Sequence, residues 1–74
     1  MSRQTLLTRL REERGLTRAR LGYVAEVHPA RVGAFELGRI VPRPGGVELQ
    51  RLAAALSYGG DPADLLMAVN DDHE

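Results

Sequence analysis

Residues 16–38 read LTRARLGYVAEVHPARVGAFELG, and their pattern predicts two short helices joined by a tight turn. Thr17 provides a hydroxyl that can cap the first helix by accepting a hydrogen bond from a free amide. Leu21, Val24 and Ala25 follow at three- and four-residue spacing, which places them on one helical face. Two helices of about eight residues with a three- or four-residue turn match the helix-turn-helix unit.

The second helix of this pair is predicted to begin at His28 and Pro29, because proline lacks the N–H that would have no partner at a first helical position. Val32 and Phe35 form its apolar stripe, and Gly38 is placed to end it in a left-handed cap. With that stripe facing inward, the outward face consists of Ala30, Gly33, Ala34 and Leu37.

Three more helices are predicted around this unit, over residues 3–14, 47–56 and 61–69. Ser2 can cap the first, and Asp61 followed by Pro62 can open the last. The sequence therefore predicts an all-α, compact five-helix bundle in one domain, residues 1–69, with the unit at about 17–38 and an acidic tail at residues 70–74. On the last helix, Leu66 and Met67 point away from the side shared by Leu65 and Val69, which predicts spare apolar surface suited to a dimer interface.

The two halves of the chain carry opposite charges, although the whole chain is neutral. Residues 1–43 hold nine arginines and four glutamates, a net charge of +5, whereas residues 44–74 carry −5. Such an asymmetry indicates a polyanionic partner for the basic half, although an ordinary solvated surface would explain it equally well. The chain has no lysine, and arginine suits forked contacts to phosphates and base edges.

Several function classes are disfavoured by composition. The chain has no cysteine, so it has no disulfide, thiolate metal site or cysteine nucleophile. No apolar run approaches membrane-spanning length and no signal-peptide pattern is present, so we expect a cytoplasmic protein. His28 and His73 are the only histidines, the acids are dispersed, and no phosphate-binding glycine loop occurs. We therefore expect no enzymatic activity, metal, cofactor or small-molecule substrate.

The chain resembles the lambda-repressor/Cro-like, or Xre-type, family of helix-turn-helix proteins. The matching pieces are LREERGLT (10–17), Leu21 and Ala25, VHPARVGAFELGR (27–39), LAAAL (52–56) and DPADLL (61–66). This resemblance implies a five-helix bundle whose third helix lies in the major groove and whose dimers bind half-sites about one helical turn apart. It also implies an ion pair between Arg11 and Glu36, near the apolar stripe, where a lone carboxylate would be costly.

The resemblance also implies a set of DNA-contacting residues. Arg18 stands at the start of the second helix, where the family usually has glutamine, and can reach a phosphate or a base edge. Arg39 and Arg43 flank the following loop, where backbone contacts are usual. The complete set is Arg18, His28, Ala30, Arg31, Gly33, Ala34, Arg39 and Arg43. The eight basic-half arginines other than Arg11 are expected to be available for phosphate. One departure is Glu26, which occupies a turn position where the family prefers glycine.

Two functions remain open at this point. A homodimeric DNA-binding regulator, and more specifically a repressor, is favoured by the charge asymmetry. The outward face of the third helix, however, offers no side chain for a bidentate contact to guanine or adenine. That bare face favours the alternative, a protein-interaction module that keeps the fold and docks a protein partner.

Overall fold

The computed structural model describes residues 3–40 and 46–70. The elements in these ranges are β1 (Arg3–Thr5), α1 (Leu6–Glu13), α2 (Arg18–Ala25), α3 (Pro29–Glu36), α4 (Glu48–Ala55), a 3-10 helix (Pro62–Leu66) and β2 (Ala68–Asn70). The mainly helical architecture and the helix-turn-helix unit agree with the sequence-based prediction. The prediction of five helices is wrong, since this part of the chain contains four α-helices and one short 3-10 helix.

The first predicted helix begins later than expected because the chain before it forms a strand. Residues 3–5 pair antiparallel with residues 68–70, and Gln4 lies opposite Val69. The helix cap is Thr5, whose hydroxyl accepts a hydrogen bond from the Thr8 amide at 3.2 Å. The predicted cap, Ser2, lies outside the described residues.

The predicted fifth helix is a single 3-10 turn. Asp61 caps it as expected by accepting a hydrogen bond from the Ala63 amide at 3.0 Å. Met67 then adopts an extended conformation, with φ −73° and ψ 140°, and its carbonyl accepts a hydrogen bond from the Leu6 amide at 2.9 Å. Pairing with the start of α1 and with β1 therefore replaces a continued helix. Asn70 ends β2, and the rest of the predicted acidic tail, residues 71–74, lies outside the described residues.

The core lies between the helices and is built from large aliphatic side chains around one aromatic ring. Its fully buried side chains are Leu7, Leu21, Val32, Phe35, Leu52, Leu56 and Leu65. Val24 was predicted on the same inner face but is 52% exposed. The buried side of α2 is formed by Leu21, Gly22 and Ala25, which leaves Val24 outside.

The turn between α2 and α3 depends on two unusual positions. Glu26 has a φ of 61°, in the left-handed region that disfavours residues with a Cβ atom. The Val27 amide donates a hydrogen bond to the Gly22 carbonyl, five residues earlier, at 2.9 Å. A Cβ atom on Gly22 would collide with the Val27 carbonyl oxygen and lie 3.2 Å from the Pro29 nitrogen. Gly22 therefore permits the close approach that sets the direction of α3.

Candidate nucleic-acid interface

The outward side of α3 is small and uncharged over most of its length. Ala30 and Leu37 are exposed and Ala34 is half-buried, whereas Val32 and Phe35 are buried. His28 caps the helix, because its Nδ1 accepts a hydrogen bond from the Ala30 amide at 3.0 Å. The exposed face therefore lacks side-chain hydrogen-bond donors of its own, apart from residues at its edges.

Glu36 is the only acidic residue of α3, and its side chain is fully buried. Arg11 Nε donates to its Oε2 at 2.7 Å, and Arg11 Nη2 donates to its Oε1 at 3.2 Å. Arg11 Nη1 also donates to the Leu16 carbonyl at 2.8 Å. The structure thus contains the Arg11–Glu36 pair that the family resemblance implies, and this pair ties α1 to α3.

Arg18 is a second partner of Glu36, which sequence analysis missed. Its Nε donates to Glu36 Oε1 at 2.8 Å, while 43% of its side chain remains exposed. Glu36 therefore has two cationic partners, while the exposed carboxylate of Glu12 also lies 3.8 Å from Arg11 Nη2. No local spacing reveals this contact, because the two residues are 18 positions apart and meet through the packing of α2 on α3.

Gly33 does not lie on open surface, which corrects its predicted place on the outward face. It is buried, and the space next to its Cα atom is occupied by the side chain of Arg18. A Cβ atom placed on Gly33 would lie 3.6 Å from both Cδ and Nη1 of Arg18. The Arg18 side chain therefore covers the middle of α3, at the position where Gly33 has no side chain.

Arg31 was predicted to contact phosphate but forms an ion pair in this structure. Its Nε and Nη2 donate to the two carboxylate oxygens of Glu48 at 2.9 and 2.6 Å. Its guanidinium carbon lies 5.6 Å from the centroid of the Phe35 ring. These hydrogen bonds from Arg31 hold the pKa of Glu48 below its ordinary value, against the opposing effect of burial. Arg31 thus links the edge of α3 to the start of α4.

The number of available arginines is consequently smaller than the sequence predicted. Arg9 pairs with Glu13 at 3.2 Å, and Arg14 donates to the Leu56 carbonyl through Nε and Nη2. Within residues 3–40 and 46–70, no carboxylate lies within 4.0 Å of Arg20 or Arg39, and both residues are exposed. Arg43 lies outside the described residues.

The two residues predicted for a dimer interface differ in exposure. Leu66 is half-buried and packs against the core, whereas Met67 is 59% exposed beside β2. Their role in a dimer stays a prediction.

Residues 3–40 and 46–70 contain neither a membrane-spanning helix nor a metal-ligand cluster. No helix there is both long and apolar enough to span a bilayer. Nor do three or more histidine, aspartate or glutamate side chains come together there as ligands for a metal ion.

Comparison with known families identifies the fold described above. The family model described as "helix-turn-helix domain" matches residues 5–66, which include every helix that the structure describes. Comparisons with curated proteins and with solved structures give no match. The chain belongs to the helix-turn-helix domain family, which is consistent with its resemblance to the lambda-repressor-like, or Xre-type, proteins.

Proposed function

We propose that this protein is a sequence-specific, duplex-DNA-binding transcriptional regulator that inserts α3 into the major groove. The observation that carries the proposal is the absence of acidic charge on the exposed side of α3. Glu36, the only acid in α3, is buried and neutralised by Arg11 and Arg18. An approaching phosphate backbone therefore meets apolar surface edged by cations rather than exposed carboxylates.

The expected mode of action is repression by occupation of an operator. Paired α3 helices would enter successive major grooves on one face of the duplex, as in dimers of this motif. Exposed Met67, next to strand β2, supports a second copy as the dimer partner, because an exposed methionine next to a strand edge suits burial against another chain.

Salt dependence gives the test of duplex binding. Arg20 and Arg39 are exposed and have no carboxylate within 4.0 Å in the described part of the chain. If these two charges meet phosphate, log K against log salt concentration should have a slope of about −2 per domain, since each contact contributes about −0.9. If all eight arginines met phosphate, the slope would instead be about −7.

The measurement is fluorescence anisotropy of a labelled duplex titrated with the protein at several salt concentrations. Arg39→Ala should make the slope shallower by about one unit. Arg9→Ala is the matched control, because Arg9 is paired with Glu13 on α1 and should leave the slope unchanged. Failure of the unaltered protein to bind any duplex at about 50 mM salt would overturn the proposal.

A protein-docking function is the second candidate, and one observation favours it. Leu37 is 55% exposed at the end of α3, in line with the small residues Ala30 and Ala34. If docking is the function, Ala34→Glu should abolish capture of a protein partner. The unaltered protein should then bind DNA only weakly and without sequence preference. A sharp palindromic motif recovered from a randomised duplex library would count against docking and support the regulator.

A further inference from the structure

We propose that Arg18 is the residue that determines base specificity, and that it reads a guanine through a guanidinium held over Gly33 by Glu36. This inference rests on the proposed DNA-binding function. It assigns sequence recognition to the start of α2 rather than to the outward side chains of α3.

The guanidinium of Arg18 has a fixed orientation. Its Nε donates to Glu36 Oε1 at 2.8 Å, so the inner edge of the group is fixed by a buried carboxylate. Neither Nη1 nor Nη2 of Arg18 makes a hydrogen bond to the described part of the chain. These two nitrogens therefore remain as donors on a side chain whose charged end cannot rotate freely.

Gly33 leaves room for the guanidinium of Arg18 on the surface of α3. A Cβ atom at this position would already be in van der Waals contact with Cδ and Nη1 of Arg18, at 3.6 Å. A longer side chain would occupy the space that the guanidinium now fills. The glycine also costs the helix about 1 kcal/mol relative to alanine. The packing therefore excludes side chains longer than that of alanine at this position, whereas alanine itself would fit.

The position of Arg18 favours a base over a phosphate as its ligand. Its side chain covers Gly33 in the middle of the helix that would enter the groove, and the exposed residues of that helix, Ala30 and Leu37, have no side-chain donors of their own. Guanine presents O6 and N7 as adjacent acceptors in the major groove, and an arginine fork is their most frequent partner. Because Glu36 already orients the Arg18 guanidinium, less rotamer entropy is lost when it binds, and this favours a planar contact to guanine.

The positive charge of Arg18 is not cancelled by Glu36. Arg11 already donates to both carboxylate oxygens of Glu36, at 2.7 and 3.2 Å. The carboxylate is therefore neutralised from the α1 side, and the outer arginine keeps a net positive charge towards the duplex. Glu36 is accordingly a positioning residue, whereas Arg18 is the contacting residue.

The experiment is selection of bound duplexes from a randomised library by the unaltered protein, Arg18→Lys and Arg18→Ala. The unaltered protein should select a motif in which one guanine per half-site is preferred about 5- to 150-fold over other bases. Arg18→Lys keeps the positive charge but lacks the fork, so it should lose that preference while keeping the salt slope. Replacing this guanine by 7-deazaguanine, which lacks N7, should weaken binding of the unaltered protein and leave Arg18→Ala unaffected.

Two variants at Gly33 test the positioning without altering Arg18. Gly33→Ala should keep the guanine preference, because its methyl group fits at ordinary contact distance. Gly33→Met should lose the preference, since its side chain would displace the guanidinium. Circular dichroism verifies that both variants are folded.

An unchanged motif with uniformly weaker affinity in Arg18→Ala would overturn the inference, because Arg18 would then be a phosphate contact. The proposed function would survive that result. Failure of the unaltered protein to bind duplex DNA would instead overturn the proposed function and this inference with it.

Discussion

The two arginines that bind Glu36 are predicted to contribute unequally to folding stability. Arg11 is 11% exposed and donates three hydrogen bonds, two to Glu36 and one to the Leu16 carbonyl. Arg18 is 43% exposed and donates one. Replacing each arginine by methionine keeps much of the side-chain volume and removes the charge, so the pair of variants compares the two ionic contributions directly.

The expected magnitudes follow from the burial of each partner. Removing one partner of a buried ion pair costs about 3–5 kcal/mol. Because Arg18 remains beside Glu36, we expect Arg11→Met to fall at the lower end, about 3 kcal/mol. Arg18→Met leaves both Arg11 hydrogen bonds in place, and a half-exposed pair contributes about 0–1 kcal/mol. A domain of this length has a free energy of unfolding of about 4–11 kcal/mol, so the loss of Arg11 is a large fraction of it.

Urea and thermal denaturation, followed by far-ultraviolet circular dichroism, measure both effects. Each kilocalorie lowers the melting temperature of so small a domain by about 4–8 °C, which predicts a loss of about 12–24 °C for Arg11→Met and less than about 8 °C for Arg18→Met. Arg9→Met, which breaks an exposed pair within α1, is the control and should remain close to the unaltered protein. Equal destabilisation by Arg11→Met and Arg18→Met would refute this account of Glu36.

Three further predictions concern the turn and the start of α4. Gly22→Ala should lower the free energy of unfolding by about 2–3 kcal/mol, because the added methyl group collides with the Val27 backbone. Glu26→Gly should raise it by about 0.5–1 kcal/mol, because it relieves a left-handed conformation at φ 61°. Glu48→Gln should lower the free energy of unfolding near neutral pH, and in acid the variant and the unaltered protein should be equally stable. The hydrogen bond from Arg31 lowers the pKa of Glu48, so the contribution of the pair is complete above the ordinary carboxylate pKa and is lost as pH falls through the lowered one.

Each of these predictions has its own control. Gly59→Ala adds a methyl group that meets no atom within 4 Å, so a loss as large as that of Gly22→Ala would contradict the steric explanation. Ser57 has a φ of 56°, and Ser57→Gly should stabilise the protein for the same reason as Glu26→Gly. For Glu48→Gln, urea midpoints measured across the acid range should converge with those of the unaltered protein. A constant difference at every pH would exclude the ion pair as the cause.

Sequence predicted those parts of the fold that depend on local signals. Thr17 caps α2 and Pro29 opens α3 as expected, because caps and first-position prolines act within one helical turn. The ends of the chain could not be predicted in this way. Strands β1 and β2 have three residues each and pair across almost the whole chain, so neither shows a period that a local pattern detects.

The candidate interface was less predictable because its charges are paired over long separations. Arg31 and Glu48 are 17 positions apart and meet across the loop after α3. A count of charges along the sequence cannot assign these partners, because the pairing depends on how the helices pack. The same count therefore overestimated the number of arginines available for phosphate.

Glu36 connects stability with recognition while allowing the two to vary separately. Arg11 alone donates hydrogen bonds to both carboxylate oxygens of Glu36 from the α1 side, so the fold does not depend on Arg18. Arg18 then uses the same carboxylate only as an anchor for its inner nitrogen. A substitution at Arg18 is therefore expected to change the selected DNA sequence with little loss of folding stability. A substitution at Arg11 should do the reverse: it should lower folding stability and leave the selected DNA sequence unchanged, because the contact between Arg18 and Glu36 does not involve Arg11.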